Sequence, residues 1–207
     1  MLLHCTYMKV NSMLVVGVDE VGRGCWAGPL VAGAVMLERP IKGLRDSKKL
    51  SRAQREGLAV EIEREALAIG LGWVDAVTID AIGLTAAVRL AMERAVAQIT
   101  IDYDEVIIDG AYNFLAHLQQ RTGPKISTLI KADDLIPAVS AASIMAKVAR
   151  DKYMFELALK HPDYGFERHV GYGTALHLVQ LKLQGITPEH RRSYKPIQAL
   201  LHPTPKV

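Results

Sequence analysis

MLVVGVDEVGRGCWAGPLVAGAVML, residues Met13 to Leu37, holds two apolar runs rich in β-branched residues on either side of a glycine-rich turn. Met13 to Val18 reads as a short buried strand and Leu30 to Leu37 as a second. Asp19 and Glu20 stand where the first strand ends, followed at once by Gly22, Gly24 and Gly28. Working outward, Ser51 with Gln54 fits a capping box that opens a helix through about Ala66. Ile69 to Val74 reads as a third strand. Leu84, Val88, Ala91, Ala95, Val96 and Ile99 recur at helical spacing and mark one core-facing stripe. Glu105 to Asp109 and Ser127 to Ile130 read as further short strands. An Ala-rich helix follows Pro137 and ends before His161-Pro162. Thr174 to Gln184 reads as a helix stopped by Gly185, and Thr187-Pro188 as an N-cap followed by a proline at the first helical position. Strands alternating with helices predict an α/β domain.

Composition narrows the class. The 207 residues are 50% hydrophobic, yet include only 3 Phe, 7 Tyr and 2 Trp, so the core is aliphatic and the chain is not of the disordered type. The length suits a single domain over 1–207, with 1–12 and 203–207 peripheral. Lys and Arg number 25 against 22 Asp and Glu, a net +3 that permits a nucleic-acid partner without demanding one. Two cysteines, Cys5 and Cys25, build no disulfide framework or zinc site. The longest apolar run, Pro29 to Leu37, is far below the roughly 20 residues of a membrane span. His4, Lys9 and Asn11 interrupt any signal-peptide core, so a cytoplasmic location is expected.

Three acidic strand ends carry the chemistry. Adjacent carboxylates such as Asp19 and Glu20 repel each other unless protons or a cation relieve them, and hard divalent cations favour such oxygens. The glycines behind them let backbone N–H groups approach a phosphate or hydroxyl. A polar hairpin turn is the alternative reading. Asp109 follows three apolar residues and precedes Gly110, in the position where α/β sheets gather ligands, although Asp-Gly is also a common turn. Asp133 and Asp134 lie between a strand and a helix, where helix N-terminal charge alone would account for them. Taken jointly, the three ends predict a metal-binding carboxylate cluster.

Other features read less sharply. Asp46-Ser47-Lys48-Lys49 suits either a phosphate or a solvated loop. Ser140, Ser143 and Lys147 share a helical face, read as the solvent side of a packed helix. Tyr164 and Tyr172 stand beside glycines, either as stacking platforms or as packed rings with wet hydroxyls. His169, His190, Arg191 and Arg192 read as a solvated basic face.

VDEVGRGCWAGPLVAGAV, DSKKLS, VIIDG, KADDLIPAVSAASIMAKVARD, YGFERHVGYGT and HRRSY together resemble the successive signature blocks of type 2 ribonuclease H, the ribonuclease HII family. They occur in family order between about residues 13 and 197. The resemblance implies the ribonuclease H-like fold: a mixed five-stranded sheet flanked by helices, with additional C-terminal helices. It implies catalytic and metal-binding roles for Asp19, Glu20, Asp109 and Asp133, holding Mn²⁺ or Mg²⁺ for two-metal-ion phosphodiester hydrolysis. Gly22, Arg23 and Gly24 match the segment whose backbone reads a ribose 2′-hydroxyl. Tyr172 matches the tyrosine that packs against the neighbouring deoxyribose, and Ser47 and Lys48 complete the expected substrate contacts. The implied partners are RNA–DNA hybrids and ribonucleotide-containing duplex DNA, acted on by a monomer with no membrane association. Cys25-Trp26 and Ala132 depart from the commoner family residues beside the site. A DNA-only nuclease and a catalytically dead hybrid-binding protein are the competing classes. Reading a 2′-hydroxyl argues against the first and four intact carboxylates against the second.

Overall fold

The computed structural model describes residues 13–202, so the ends expected to be peripheral, 1–12 and 203–207, lie outside the described residues. Five strands form one mixed sheet: β1 (Val15–Val21), β2 (Leu30–Leu37), β3 (Ala66–Val74), β4 (Glu105–Asp109) and β5 (Lys125–Leu129). Their spatial order is β3-β2-β1-β4-β5. The β1–β2 and β2–β3 pairs are antiparallel, and the β1–β4 and β4–β5 pairs are parallel. The eight-residue glycine loop 22–29 joins the antiparallel pair β1–β2, the longer link from β2 to β3 carries helix α1 (Arg52–Glu65), and the parallel half needs crossovers.

The helices are α1 (Arg52–Glu65), α2 (Ala76–Ile82), α3 (Leu84–Val96), α4 (Ala132–Leu135), α5 (Pro137–Lys160), α6 (Phe166–His169), α7 (Ala175–Gln184) and α8 (Lys195–Leu201). Strand alternation divides the core in two. Val16 and Val18 of β1, with Leu30, Ala32, Ala34 and Met36 of β2, face the apolar stripe of α3. On the other face Val35 meets Ile62 of α1 and Ala141, Ala142 and Met145 of α5. A third cluster joins the end of α5 to Tyr164, Phe166, Leu181 and Ile197.

The predicted capping box is present in full: Ser51 accepts from the Gln54 N–H, and the Gln54 side chain accepts from the Ser51 N–H. Four differences have local causes. β1 runs on to Val21 because Asp19, Glu20 and Val21 pair with Gly33, Ala32 and Val31, so the two carboxylates lie within the strand. Helix α2 carries no apolar stripe that marks it in the sequence, and Asp75 caps it by accepting from the Thr78 N–H. Thr187-Pro188 starts no helix. Glu189 donates its N–H to Thr187 Oγ1 and His190 donates its own to the Thr187 carbonyl, closing a turn, and the final helix waits until Lys195. Ser140 and Ser143 are buried, so the polar face of α5 points inward.

The inward face is possible because α5 lies directly on the sheet. A Cβ at Gly17 would stand 2.2 Å from the Ala138 carbonyl carbon and the Val139 nitrogen, and one at Gly33 would stand 2.4 Å from the Ala142 carbonyl oxygen. Only hydrogen fits against a helix backbone at that distance. Gly17→Ala is therefore expected to cost at least about 2 kcal/mol, as overpacking without a flexible neighbour to yield. Urea denaturation measures the loss, and an unchanged midpoint would contradict this contact.

Candidate active site

Alternation along β1 decides which carboxylates meet. Val16 and Val18 face α3, so Gly17 and Asp19 face α5. In the parallel neighbour β4, Val106 and Ile108 share the α3 side, which turns Asp109 towards Asp19. Asp133 enters from α4, whose preceding residue Lys131 adopts a left-handed φ of 59°. The carboxylates of Asp19, Asp109 and Asp133 each offer an oxygen, and these atoms lie within 4.8 Å of one another. Glu20 leaves the strand on the opposite face and pairs with the Arg23 guanidinium at 3.0 Å. The structure thus gathers three of the four expected acids and sets the fourth at the margin.

The cluster is electrostatically tense. Burial, then the charges of Glu20 and Asp109, push Asp19 up to about 7 despite a hydrogen bond from Ser143. Burial also raises Glu20, against the opposing pull of Arg23, and raises Asp133, with Asp109 adding to it. Asp109 is held by the Ala132 N–H, which donates to its Oδ1 at 2.7 Å. Carboxylate oxygens crowded at this distance, with Asp19 and Asp133 buried and raised in proton affinity, suit a hard divalent cation, which would replace protons as the compensating charge.

The basic loop divides its labour. Ser47 is buried, its Oγ 3.0 Å from Ser143 Oγ, beside the hydroxyl that serves Asp19. Lys49 is engaged with Asp134 at 2.7 Å, which explains that carboxylate as a tether between loop and α4. Lys48 is exposed, its charge felt at Asp133.

Tyr172 reaches the glycine loop through the backbone. Cys25 and Tyr172 form an isolated antiparallel bridge, and the Trp26 N–H donates to the Gly171 carbonyl at 2.8 Å. Tyr172 is 40% exposed and bridged to Cys25 of the glycine loop, whereas Tyr164 is buried, stacks on Phe166 and donates its hydroxyl to the Gly185 carbonyl. Tyr164 therefore lacks the expected wet hydroxyl. Val170, just before the loop, has a φ of 42°, a conformation a β-branched residue rarely adopts.

The expected basic surface is instead an interior. His169, His190 and Arg191 are buried, and only Arg192 of that group is exposed. His177 donates from Nδ1 to the Tyr172 carbonyl, 3.0 Å away, which leaves its Nε2 to accept from His190 Nε2 at 3.0 Å. His190 Nδ1 then accepts from the Thr187 N–H at 2.9 Å. Burial lowers His177 and His190 to about 4, consistent with this neutral chain. No sequence spacing announced it, because its members come from different helices and turns.

The sheet order, with acids converging at its centre, defines a ribonuclease H-like fold. The family model described as Ribonuclease HII matches residues 16–197. A Ribonuclease HII from Marinomonas sp. (strain MWYL1) is 45% identical over 194 residues, covering 91% of this chain and 93% of that relative. One from Shewanella pealeana (strain ATCC 700345 / ANG-SQ1) is 45% identical over 190 residues, covering 89% of each. The crystal structure of the ribonuclease H2 from Pyrococcus horikoshii OT3 superposes with a TM-score of 0.78 at 27% identity, covering 91% of this chain and 97% of that one. The chain belongs to the ribonuclease HII family.

The tension at Asp19 sets a sign. A carboxyl whose folded pKa is raised from 3.8 to about 7 stabilises the fold fully below pH 4, and this contribution is lost as pH rises towards 7. Asp19→Asn removes that dependence. In chelator, its thermal midpoint should exceed the wild type's by more at pH 8 than at pH 5; an equal margin at both would contradict the raised value.

Proposed function

We propose that the chain cleaves the phosphodiester on the 5′ side of a ribonucleotide, both in RNA–DNA hybrids and at single ribonucleotides embedded in duplex DNA. The coarser activity follows from the family: the chain is an enzyme, a ribonuclease H that acts endonucleolytically on RNA–DNA hybrids. The observation that carries the finer reading is the convergence of Asp19, Asp109 and Asp133 beside a glycine loop bridged to Tyr172.

Asp19, Glu20, Asp109 and Asp133 are the residues that would hold Mn²⁺ or Mg²⁺. Two such ions, when bound, lower the pKa of the attacking water and stabilise the departing 3′-oxygen. Glu20, paired with Arg23 in this structure, would complete the set. The backbone of Gly22, Arg23 and Gly24 reads the 2′-hydroxyl, and the Tyr172 ring packs on the adjoining deoxyribose. Lys48 approaches a substrate phosphate, while Ser47 holds Ser143 against Asp19. Water attacks phosphorus and the P–O3′ bond breaks, so the products carry a 3′-hydroxyl and a 5′-phosphate. The 2′-hydroxyl is recognised and takes no part in bond making. Among the described residues no helix is long and apolar enough to cross a membrane.

Labelled duplexes differing by a single ribonucleotide test this reading. Cleavage should need added divalent metal, stop with chelator and fall 5′ of the ribonucleotide; 2′,3′-cyclic phosphate ends or equal cutting of all-DNA duplex would overturn it. Asp109→Asn should retain hybrid binding, which rests mainly on phosphate contacts, and lose more than tenfold in rate, about 1.4 kcal/mol or more. Tyr172→Ala should slow single-ribonucleotide cleavage roughly 5- to 150-fold, the scale of a stacking contact of about 1–3 kcal/mol. An unchanged rate would remove Tyr172 from the site.

A further inference from the structure

Two arginines are among the largest fully buried side chains of the chain, and their recorded contacts are with backbone carbonyls and one tyrosine hydroxyl. Arg150 donates to the carbonyls of Pro29, Val170 and Ala27. Arg191 donates from Nε and Nη2 to the Gly28 carbonyl, at 3.1 and 2.9 Å, and from Nη1 to the Arg23 carbonyl at 3.1 Å. The Arg23 carbonyl receives a second hydrogen bond from the Tyr194 hydroxyl at 2.6 Å, and Arg191 Nη1 donates to that hydroxyl at 2.8 Å. One peptide oxygen in the glycine loop therefore accepts from a buried cation and from a hydroxyl that the same cation polarises.

An arginine stays charged even when buried. Hydrogen bonds from a charged donor draw electron density onto the peptide oxygen, and amide resonance passes the effect to the nitrogen of the same peptide unit. That nitrogen belongs to Gly24. Gly24 is exposed, with no atom within 4 Å of where a Cβ would stand, so its backbone is open to an incoming group. The loop is also fixed in place, since a Cβ at Gly22 would lie 2.4 Å from Arg150 Nε.

We propose that Arg191 and Tyr194 are positioning residues for substrate specificity: they orient and polarise the Arg23–Gly24 peptide so that its N–H donates strongly to the ribose 2′-oxygen. This deepens the proposed function and rests on its assignment of the Gly22-Arg23-Gly24 backbone to the 2′-hydroxyl. Neither residue touches the reacting atoms. The HRRSY block thereby acquires a role that its charge alone did not suggest.

Tyr194→Phe is the decisive variant, because it deletes one hydroxyl and keeps the half-buried ring. Two readings on the full-length protein separate the steps. In the free protein, the ¹H–¹⁵N resonance of Gly24 should move towards lower proton frequency as the carbonyl loses a donor. On a duplex with one ribonucleotide, kcat/KM should fall five- to tenfold, about 1–1.4 kcal/mol, with the Kd for the all-DNA duplex and the thermal midpoint unchanged. Arg191→Lys keeps the charge without the fork and should reduce cleavage further. An unmoved Gly24 resonance in Tyr194→Phe overturns the polarising clamp. A moved resonance with full activity overturns the link from this peptide to the sugar, and with it the assignment of the glycine loop in the proposed function.

Discussion

Everything at the site depends on how closely α5 lies against β1 and β2. Gly17 and Gly33 remove the side chains that would otherwise lift the helix by the thickness of a methyl group. At that depth Ser143 reaches Asp19, Ser140 donates to the Asp133 carbonyl at 2.5 Å, and Arg150 reaches beneath the glycine loop. A helix held off the sheet by a methyl group at either glycine would lose all three. Packing and function are thus set by one dimension, the distance between a helix axis and a sheet.

The site is expensive in the absence of ligand. Burial and mutual repulsion raise Asp19, Glu20 and Asp133, while two buried guanidiniums a short way off are spent on carbonyls rather than on neutralising them. Swapping those positions of charge would give a calmer fold with no place for a cation. Functional centres commonly hold such unfavourable arrangements, stabilised by the surrounding structure.

Much of this was legible in the sequence. Leu30–Leu37 and Glu105–Asp109 announce themselves as strands through uninterrupted β-branched and aliphatic runs, and Ser51 with Gln54 marks its helix by local chemistry alone. The acids Asp19, Asp109 and Asp133 could be grouped because each closely follows an apolar run in the sequence, although Asp19 lies within β1 and Asp133 in α4. What stayed hidden was decided by partners distant in sequence. Arg191 lies 168 residues from the carbonyl it clamps, so HRRSY looked like a wet basic face. His190 looked solvated for the same reason, although its Nδ1 accepts from the Thr187 N–H inside the fold. Glu20 was grouped with Asp19 by adjacency, whereas the pleat sends neighbours to opposite faces.

The bridges Cys25 to Tyr172 and Ala27 to His190 have a consequence for the order in which the molecule matures. During synthesis, the strands and the three clustered acids are all present once residue 133 and the helix behind it have emerged from the ribosome. The glycine loop then has no seat, since Gly171, Tyr172, His190, Arg191 and Tyr194 are still to be made. A nascent chain can therefore assemble its acidic centre before it owns the seat of its glycine loop. That seat arrives last, with the final helices bonding to a loop that was translated among the first.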